Sequence, residues 1–318
     1  MEVPPETHYL DRDGLRIAFQ HFGSGDRRLV QVTTGLGNLD LWWTDAAFCE
    51  ALVHGAERAD CVMYDELGMG LSDPVDHVPT LEERAADLGA VMDAVGFESA
   101  TVSASYDACL SVVVFAAQHP ERVDGLVLVV PFAQGWRSAP VEELVGWKDA
   151  AQVEAYDRGV AELEEHWGEG LMLRMMMPSL ITPGNVRMSA MLERARASPS
   201  MIRMERRIAR AADVREVLRS VQAPTLVLRL PGNALPEATT RYVAELLPNA
   251  SYREIQETAN FGEMFWSLTR HTEDHMFGAT GPVNSNRALM TVLFTDIVNS
   301  TEQAAVLGDG RWREILRV

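Results

Sequence analysis

Two stretches of this sequence carry residue types that could take part in catalysis. In the first, Ser105 lies between a predicted strand over Ala100–Ser103 and a predicted helix over Tyr106–Gln118. A serine hydroxyl is a poor nucleophile until a neighbouring base removes its proton. In the second, Asp296 follows a strand-like apolar run at 289–294, and read alone it is an aspartate that ends a strand. The elements around each stretch therefore decide what it can do.

Short apolar runs alternate with helical patterns, which predicts a mostly parallel sheet with helices on both faces. A leading antiparallel pair of strands is turned by Asp13-Gly14, and residues 135 to about 216 have helical periodicity with no predicted strand. Thr80 and Glu83 form a capping-box pattern at the start of one helix. The predicted strands are Tyr9–Asp11, Leu15–His21, Arg28–Thr33, Asp60–Tyr64, Ala100–Ser103, Val123–Val130, Pro224–Leu230 and Tyr252–Ile255, and the other predicted helices are Leu81–Gly96, Tyr106–Gln118, Leu235–Leu247 and Phe261–Phe277.

This order of elements resembles the α/β-hydrolase fold, and three segments carry the resemblance. Residues 64–73, YDELGMGLSD, are similar to the family's D-x-R-G-x-G-x-S turn, with Leu67 in place of the arginine. Residues 119–123 are similar to its HPERV link, and residues 103–108, SASYDA, occupy its nucleophile elbow, where G-x-S-x-G-G is usual. The resemblance implies a hydrolase-like domain over 1–280 with a helical cap at about 135–216.

The same resemblance implies a role for five residues. Ser105 is the implied nucleophile, and the backbone amides of Leu36 and Tyr106 are the implied oxyanion donors. The positions of the triad acid and histidine fall on Asn233 and Asn260. An amide cannot accept a proton near neutral pH, so the triad is predicted to be degenerate and the domain a pseudoenzyme.

Other candidates for the missing base are few. No histidine lies between His166 and His271, so a relocated base would have to be His271 or His275 on the last helix. Asp107 stands where the elbow usually has glycine, and a carboxylate alone is a feeble base for a serine. Asp107 is better interpreted as a residue of the first helical turn, where the helix dipole favours a carboxylate.

Methionines are concentrated in the predicted cap. Met175, Met176, Met188 and Met191, together with Asp107 at the elbow, are predicted to line a pocket for an apolar small molecule. Ordinary core packing of the cap helices is the alternative for the methionines.

The C-terminal segment 287–318 has a resemblance of its own. Its LFTDIV run resembles the first strand of a class III nucleotide cyclase domain, in which the aspartate after the strand holds catalytic metal. The resemblance implies that Asp296 is a metal ligand, that a complete domain would use Mg or Mn with ATP or GTP, and that residues 281–286 are a linker. A phosphoryl-transfer site needs at least a second carboxylate and a triphosphate clamp. We therefore expect an incomplete cyclase domain here.

Composition limits the classes of binding partner and the cellular compartment that we expect. The chain has 318 residues and a formal net charge of −18, which argues against nucleic acid and anionic membrane as partners. No apolar run is long enough to span a bilayer, and the N-terminus is polar and acidic. Three cysteines without metal spacing are expected to be free thiols in a reducing cytoplasm.

Three functions follow as hypotheses. The first is a catalytically degenerate, ligand-sensing regulatory domain of a class III adenylate or guanylate cyclase. The second is a weak serine hydrolase, esterase-like, that uses Ser105. The third is a structural dimerisation module. Class III cyclases typically work as dimers, so a homodimer is compatible with all three.

Overall fold

A computed structural model of the chain describes residues 4–33, 37–258 and 260–278, which lie within one compact unit. Its strands are β1 (Thr7–Arg12), β2 (Leu15–Gly23), β3 (Arg27–Val32), β4 (Ala59–Tyr64), β5 (Ala100–Ser105), β6 (Val123–Val129), β7 (Thr225–Arg229) and β8 (Ala250–Glu254). They form one sheet in the order β1-β2-β4-β3-β5-β6-β7-β8. The pairs β1–β2 and β2–β4 are antiparallel, and the other neighbouring pairs are parallel. The predicted mostly parallel sheet is confirmed.

Ten helices of the described residues surround this sheet. They are α1 (Ala46–Ala56), α2 (Leu81–Ala94), α3 (Ala108–Gln118), α4 (Ala150–Glu165), α5 (Met172–Met176), α6 (Pro183–Arg196), α7 (Pro199–Ala211), α8 (Arg215–Ser220), α9 (Glu237–Leu246) and α10 (Phe261–Phe277). In one layer α1 packs against α10, and in another α2 packs against α3. The helices between β6 and β7, α4 to α8, are called the cap below.

The central strands are apolar on both faces because helices cover both faces of a sheet of this kind. In β6, every residue except Asp124 is buried. Outside the centre of the sheet, the helix N-capping box predicted from the sequence is confirmed. The Thr80 hydroxyl accepts a hydrogen bond from the Glu83 amide at 3.1 Å, and the Glu83 carboxylate accepts one from the Thr80 amide at 2.7 Å. This capping box fixes the start of α2.

Several sequence predictions fall on residues without a description. Leu36 lies in the gap at 34–36, and the linker at 281–286 and the cyclase-like segment 287–318 with Asp296 lie beyond residue 278. Within the described ranges, no helix has the length and apolar character needed to cross a lipid bilayer. In the same ranges, no group of three or more His, Cys, Asp or Glu side chains is arranged to hold a metal ion.

Candidate functional site

The turn between β5 and α3 pivots on Tyr106, not on Ser105. Tyr106 has a φ of 53°, in the left-handed region that non-glycine residues rarely adopt. Ala104 and Ala108 lie two residues before and after it, so small side chains flank the pivot. In a nucleophile elbow the nucleophile itself occupies the strained position. The predicted elbow therefore exists, but the serine predicted as its nucleophile is the residue before the pivot.

The backbone amide of Tyr106 cannot serve as the predicted oxyanion donor. It donates to the carbonyl of Val129 on β6 at 2.9 Å, as part of the pairing of β5 with β6. The positive end of the α3 dipole lies just beyond, because Ala108 is the first residue of that helix. The helix terminus is therefore the source of positive potential that the described residues offer near Ser105.

The side chain of Tyr106 is held by the first of the two predicted triad asparagines. The Asn233 amide nitrogen donates to the Tyr106 hydroxyl at 2.5 Å and to the Met176 carbonyl at 3.0 Å. The Asn233 side-chain oxygen accepts from the Leu235 amide at 2.9 Å. Burial raises the pKa of the Tyr106 phenol, so this hydroxyl is neutral at pH 7. Asn233 thus joins the elbow to the cap.

The second predicted triad asparagine has a different role in the structure. Asn260 is exposed and is the N-cap of α10. Its side chain accepts from the Glu263 amide at 2.9 Å and donates to the Glu263 carboxylate at 3.1 Å. Both polar atoms of Asn260 are therefore engaged in capping the helix.

The two histidines considered as relocated bases do not reach Ser105. The His271 ring donates to the Ser267 carbonyl within α10 at 2.7 Å. The His275 ring donates to the carbonyl of Pro224 at 3.1 Å. Pro224 precedes β7, so His275 lies at the amino ends of the parallel strands, whereas Ser105 lies at a carboxyl end.

Asp107 belongs to a buried ion cluster that links the elbow to the cap. Its carboxylate lies 3.6 Å from the Arg206 guanidinium, and the Glu66 carboxylate lies 3.5 Å from Arg84. Arg196 and Glu205 form a further buried pair. The cluster comprises Glu66, Arg84, Asp107, Arg196, Glu205 and Arg206, which come from the turn after β4, from α2, from the elbow and from the cap helices α6 and α7.

Two carboxyl groups of the buried ion cluster titrate in opposite directions. Burial would raise the pKa of Asp107, but the guanidinium groups of Arg206 and Arg196 outweigh it and hold that pKa below its usual value. Burial raises the pKa of Glu205 to about 7, against the opposing effect of Arg196. The charge of Asp107 also contributes to the raised pKa of Glu205, because two negative charges close together repel each other.

Two cavities border the elbow. A small one of about 30 Å³ lies under the cap, and its lining includes Met175, Met176 and Asp107 from the predicted pocket. Met188 and Met191 do not line it, and Met191 is exposed. A larger cavity of about 130 Å³ lies between the sheet and the α1–α10 layer, and Ser105 and Met176 border it. Of these two cavities, the larger one therefore lies beneath the elbow and the smaller one under the cap.

The chain is similar to hydrolases along most of its length, although no family model matches it. A putative carbamate hydrolase, RutD, from Caulobacter sp. (strain K31) is 28% identical over 292 residues, which are 88% of this chain and 96% of that protein. The crystal structure of an enol-lactonase from Burkholderia xenovorans LB400 has a TM-score of 0.64 at 18% identity and covers 84% of this chain and 99% of that chain. A bromoperoxidase from Bacillus anthracis has a TM-score of 0.65 at 17% identity, with 85% and 97% covered.

These similarities correct the functional prediction and support the fold. The interpretation as a catalytically degenerate regulator of a cyclase is wrong, because the chain matches a carbamate hydrolase over 96% of that protein's length and thus corresponds to a whole hydrolase, not to a regulatory part. The alternative of a weak hydrolase agrees better with them. The mostly parallel sheet with its helices matches the overall fold of the same structures, and the chain has the α/β-hydrolase fold.

Proposed function

We propose that this chain is a weak serine hydrolase of the esterase type, in which the Ser105 hydroxyl attacks a carbonyl carbon. The observation that carries the proposal is the position of Ser105. It ends the central strand β5, it borders the larger cavity, and α3 begins three residues later. Similarity to a carbamate hydrolase over 88% of the chain supports the same class of reaction.

The proposed reaction has two steps. The Ser105 oxygen forms a bond to the ester carbonyl carbon, the bond from that carbon to the alcohol oxygen breaks, and the alcohol leaves with a proton. The oxygen of a water molecule then bonds to the acyl carbon, the bond from that carbon to the Ser105 oxygen breaks, Ser105 regains a proton from the water, and the acid is released. Negative charge on the carbonyl oxygen is stabilised by the positive end of α3, whose first residue is Ala108.

No histidine lines either cavity in the described part of the chain, and in the proposed reaction water accepts the proton of Ser105. Enzymes of this kind that lose triad residues, the serine included, keep about 10³- to 10⁴-fold catalysis over water from the oxyanion site and from binding. We propose that attack by Ser105 adds to a contribution of that kind, with turnover far below that of an enzyme with a complete triad.

A fluorophosphonate probe with peptide mapping by mass spectrometry tests this proposal. We expect slow labelling of Ser105 and none in Ser105→Ala. Ser103→Ala is the matched control, because Ser103 borders the same cavity two residues earlier on β5 and its loss should leave labelling intact. Labelling at Tyr106, or no labelling of the native protein, would overturn the assignment.

A separate proposal concerns the segment beyond the described residues. The match of Asp296 to the metal-binding aspartate of class III cyclases supports an origin of residues 287–318 in such a domain. A complete domain would use Mg or Mn with ATP or GTP, and a homodimer would be its usual form. The net charge of −18 supports a chain without nucleic-acid or membrane partners, and free thiols support a cytoplasmic location.

A further inference from the structure

The larger cavity is long and narrow. Its wall on α10 includes Met264, Leu268, Thr272 and Met276, which recur every four residues along one face of the helix. At 1.5 Å per residue, this stripe is about 18 Å long. The cavity volume is nevertheless only about 130 Å³, close to the roughly 150 Å³ of an engineered apolar cavity that binds benzene. A volume of this size spread over such a length suits a thin molecule, not a compact one.

The two ends of the cavity differ in chemistry. At one end its wall includes Ser105, Tyr106 and the cap residue Met176. At the other end, the Glu273 carboxylate borders the cavity and pairs with Arg58 at 3.4 Å, so the polar groups of that region already interact with each other. Between the ends, the wall is mostly apolar, with Leu52, Met63 and Leu268 among its residues. An occupant with one polar head would therefore place the head at Ser105 and its apolar tail along α10.

We infer that this cavity binds the unbranched alkyl chain of an acyl group, with the carbonyl end at Ser105. The inference names the substrate class of the proposed hydrolase and rests on that proposal for the ester bond, but binding of the free acid does not depend on turnover. Protein interiors are close-packed, so an elongated void beside a core helix loses contacts that a chain of methylenes would restore.

Gly55 on α1 gives a matched pair of variants. A Cβ atom there would lie 3.9 Å from the Thr269 methyl group, an ordinary contact, and Gly55 itself borders the cavity. Gly55→Ala should therefore leave the channel open, whereas the longer side chain of Gly55→Leu should fill it. Thr272→Leu fills the channel one helical turn from Leu268 and is a second variant if Gly55→Leu does not fold.

The experiment measures binding of straight-chain acids from butanoate to dodecanoate by calorimetry, together with hydrolysis of their p-nitrophenyl esters. In the native protein, affinity should rise about fourfold per methylene until the channel is full. Gly55→Leu should lower the affinity for decanoate at least tenfold relative to Gly55→Ala and leave butanoate unchanged. Affinity that does not depend on chain length, or equal decanoate binding by the two variants, overturns the inference.

Failure of this inference and failure of the proposed function give different results. Ester turnover that depends on Ser105 but is the same for short and long chains removes the channel as the acyl site and leaves the hydrolase. Chain-length-dependent binding that Gly55→Leu abolishes, without labelling or turnover at Ser105, keeps the channel and removes the hydrolase.

Discussion

The hydroxyl of Tyr106 and the side-chain nitrogen of Asn233 lie 2.5 Å apart, so a hydrogen bond spans the gap between the elbow and the loop after β7. In a hydrolase triad these two places belong to the nucleophile and the acid. Here a neutral phenol and an amide fill them, and the amide also binds the cap through Met176. The contact joins the elbow to the cap, and in the proposed reaction nucleophilic attack belongs to the neighbouring Ser105.

Removal of this hydrogen bond should destabilise the fold moderately. Tyr106→Phe deletes the hydroxyl but leaves Asn233 its bond to Met176, so we expect the free energy of unfolding to fall by about 1 kcal/mol. Urea denaturation measures this. Tyr252→Phe is the control, because the Tyr252 hydroxyl is exposed and 3.5 Å from Glu237, and it should cost less. Equal losses of unfolding free energy in Tyr106→Phe and Tyr252→Phe would show that the hydrogen bond between Tyr106 and Asn233 adds no stability of its own.

Glu205 should make stability fall as pH rises. Its folded-state pKa of about 7 lies above the ordinary 4.5, so its stabilising contribution is complete below pH 4.5 and is lost as pH rises through 7. The difference corresponds to about 3 kcal/mol. Glu205→Gln removes this titration and keeps a side chain of nearly the same size.

The measurement is the difference in unfolding free energy between native protein and Glu205→Gln from pH 5 to pH 8.5. The unfolding free energy of the variant should rise relative to that of the native protein as pH increases across this range, because only the native protein has to ionise a buried carboxyl group. Glu216→Gln, at an exposed surface pair with Arg219, is the control and should show no such trend. If the difference in unfolding free energy stays constant with pH, burial does not raise the pKa of Glu205.

Asn260 should matter for helix capping and not for turnover. Asn260→Ala removes an N-cap and is expected to lower stability by about 1 kcal/mol, whereas Asn260→Asp should keep most of it. Ester hydrolysis per folded molecule should be unchanged in both variants. A loss of hydrolysis in Asn260→Ala that exceeds the loss of folded protein would return Asn260 to the active site.

Thiol reactivity should differ among the three cysteines. Cys61 and Cys109 are buried, and burial raises the pKa of Cys61 to about 12, so neither forms the reactive thiolate at pH 8. Cys49 is half-buried. Titration with a chromogenic disulfide should find at most one thiol in the native protein and all three after unfolding. Rapid reaction of two or three native thiols would contradict the packing of β4 and α3.

The mostly parallel sheet and the order of its elements along the chain could be predicted from the sequence because the apolar strands are bounded by clear turns. β6 is a continuous apolar run, and Thr80 with Glu83 announces the start of α2. The predicted helix after β5 began two residues too early. Tyr106 has a positive φ, which a tyrosine in the sequence does not reveal, so the helix starts at Ala108.

The candidate site was predicted less well, for a reason visible at the elbow. Ser105 was assigned to the nucleophile position of the elbow because it is a serine. Ala104 and Ala108, however, are the small residues that flank position 106. That spacing of small residues was the available signal. The buried ion cluster was missed because its members come from α2, the elbow and the cap, and no local pattern joins Arg84 to Glu205.

Steady-state hydrolysis of p-nitrophenyl esters tests the central claim most directly. The native protein should release p-nitrophenol faster than the uncatalysed reaction and far more slowly than an enzyme with a complete triad. Ser105→Ala should lose this activity, and Ser103→Ala, altered on the same cavity wall, should keep it. Release that is indistinguishable from buffer, or that survives in purified Ser105→Ala, would contradict the assignment of Ser105 as the nucleophile.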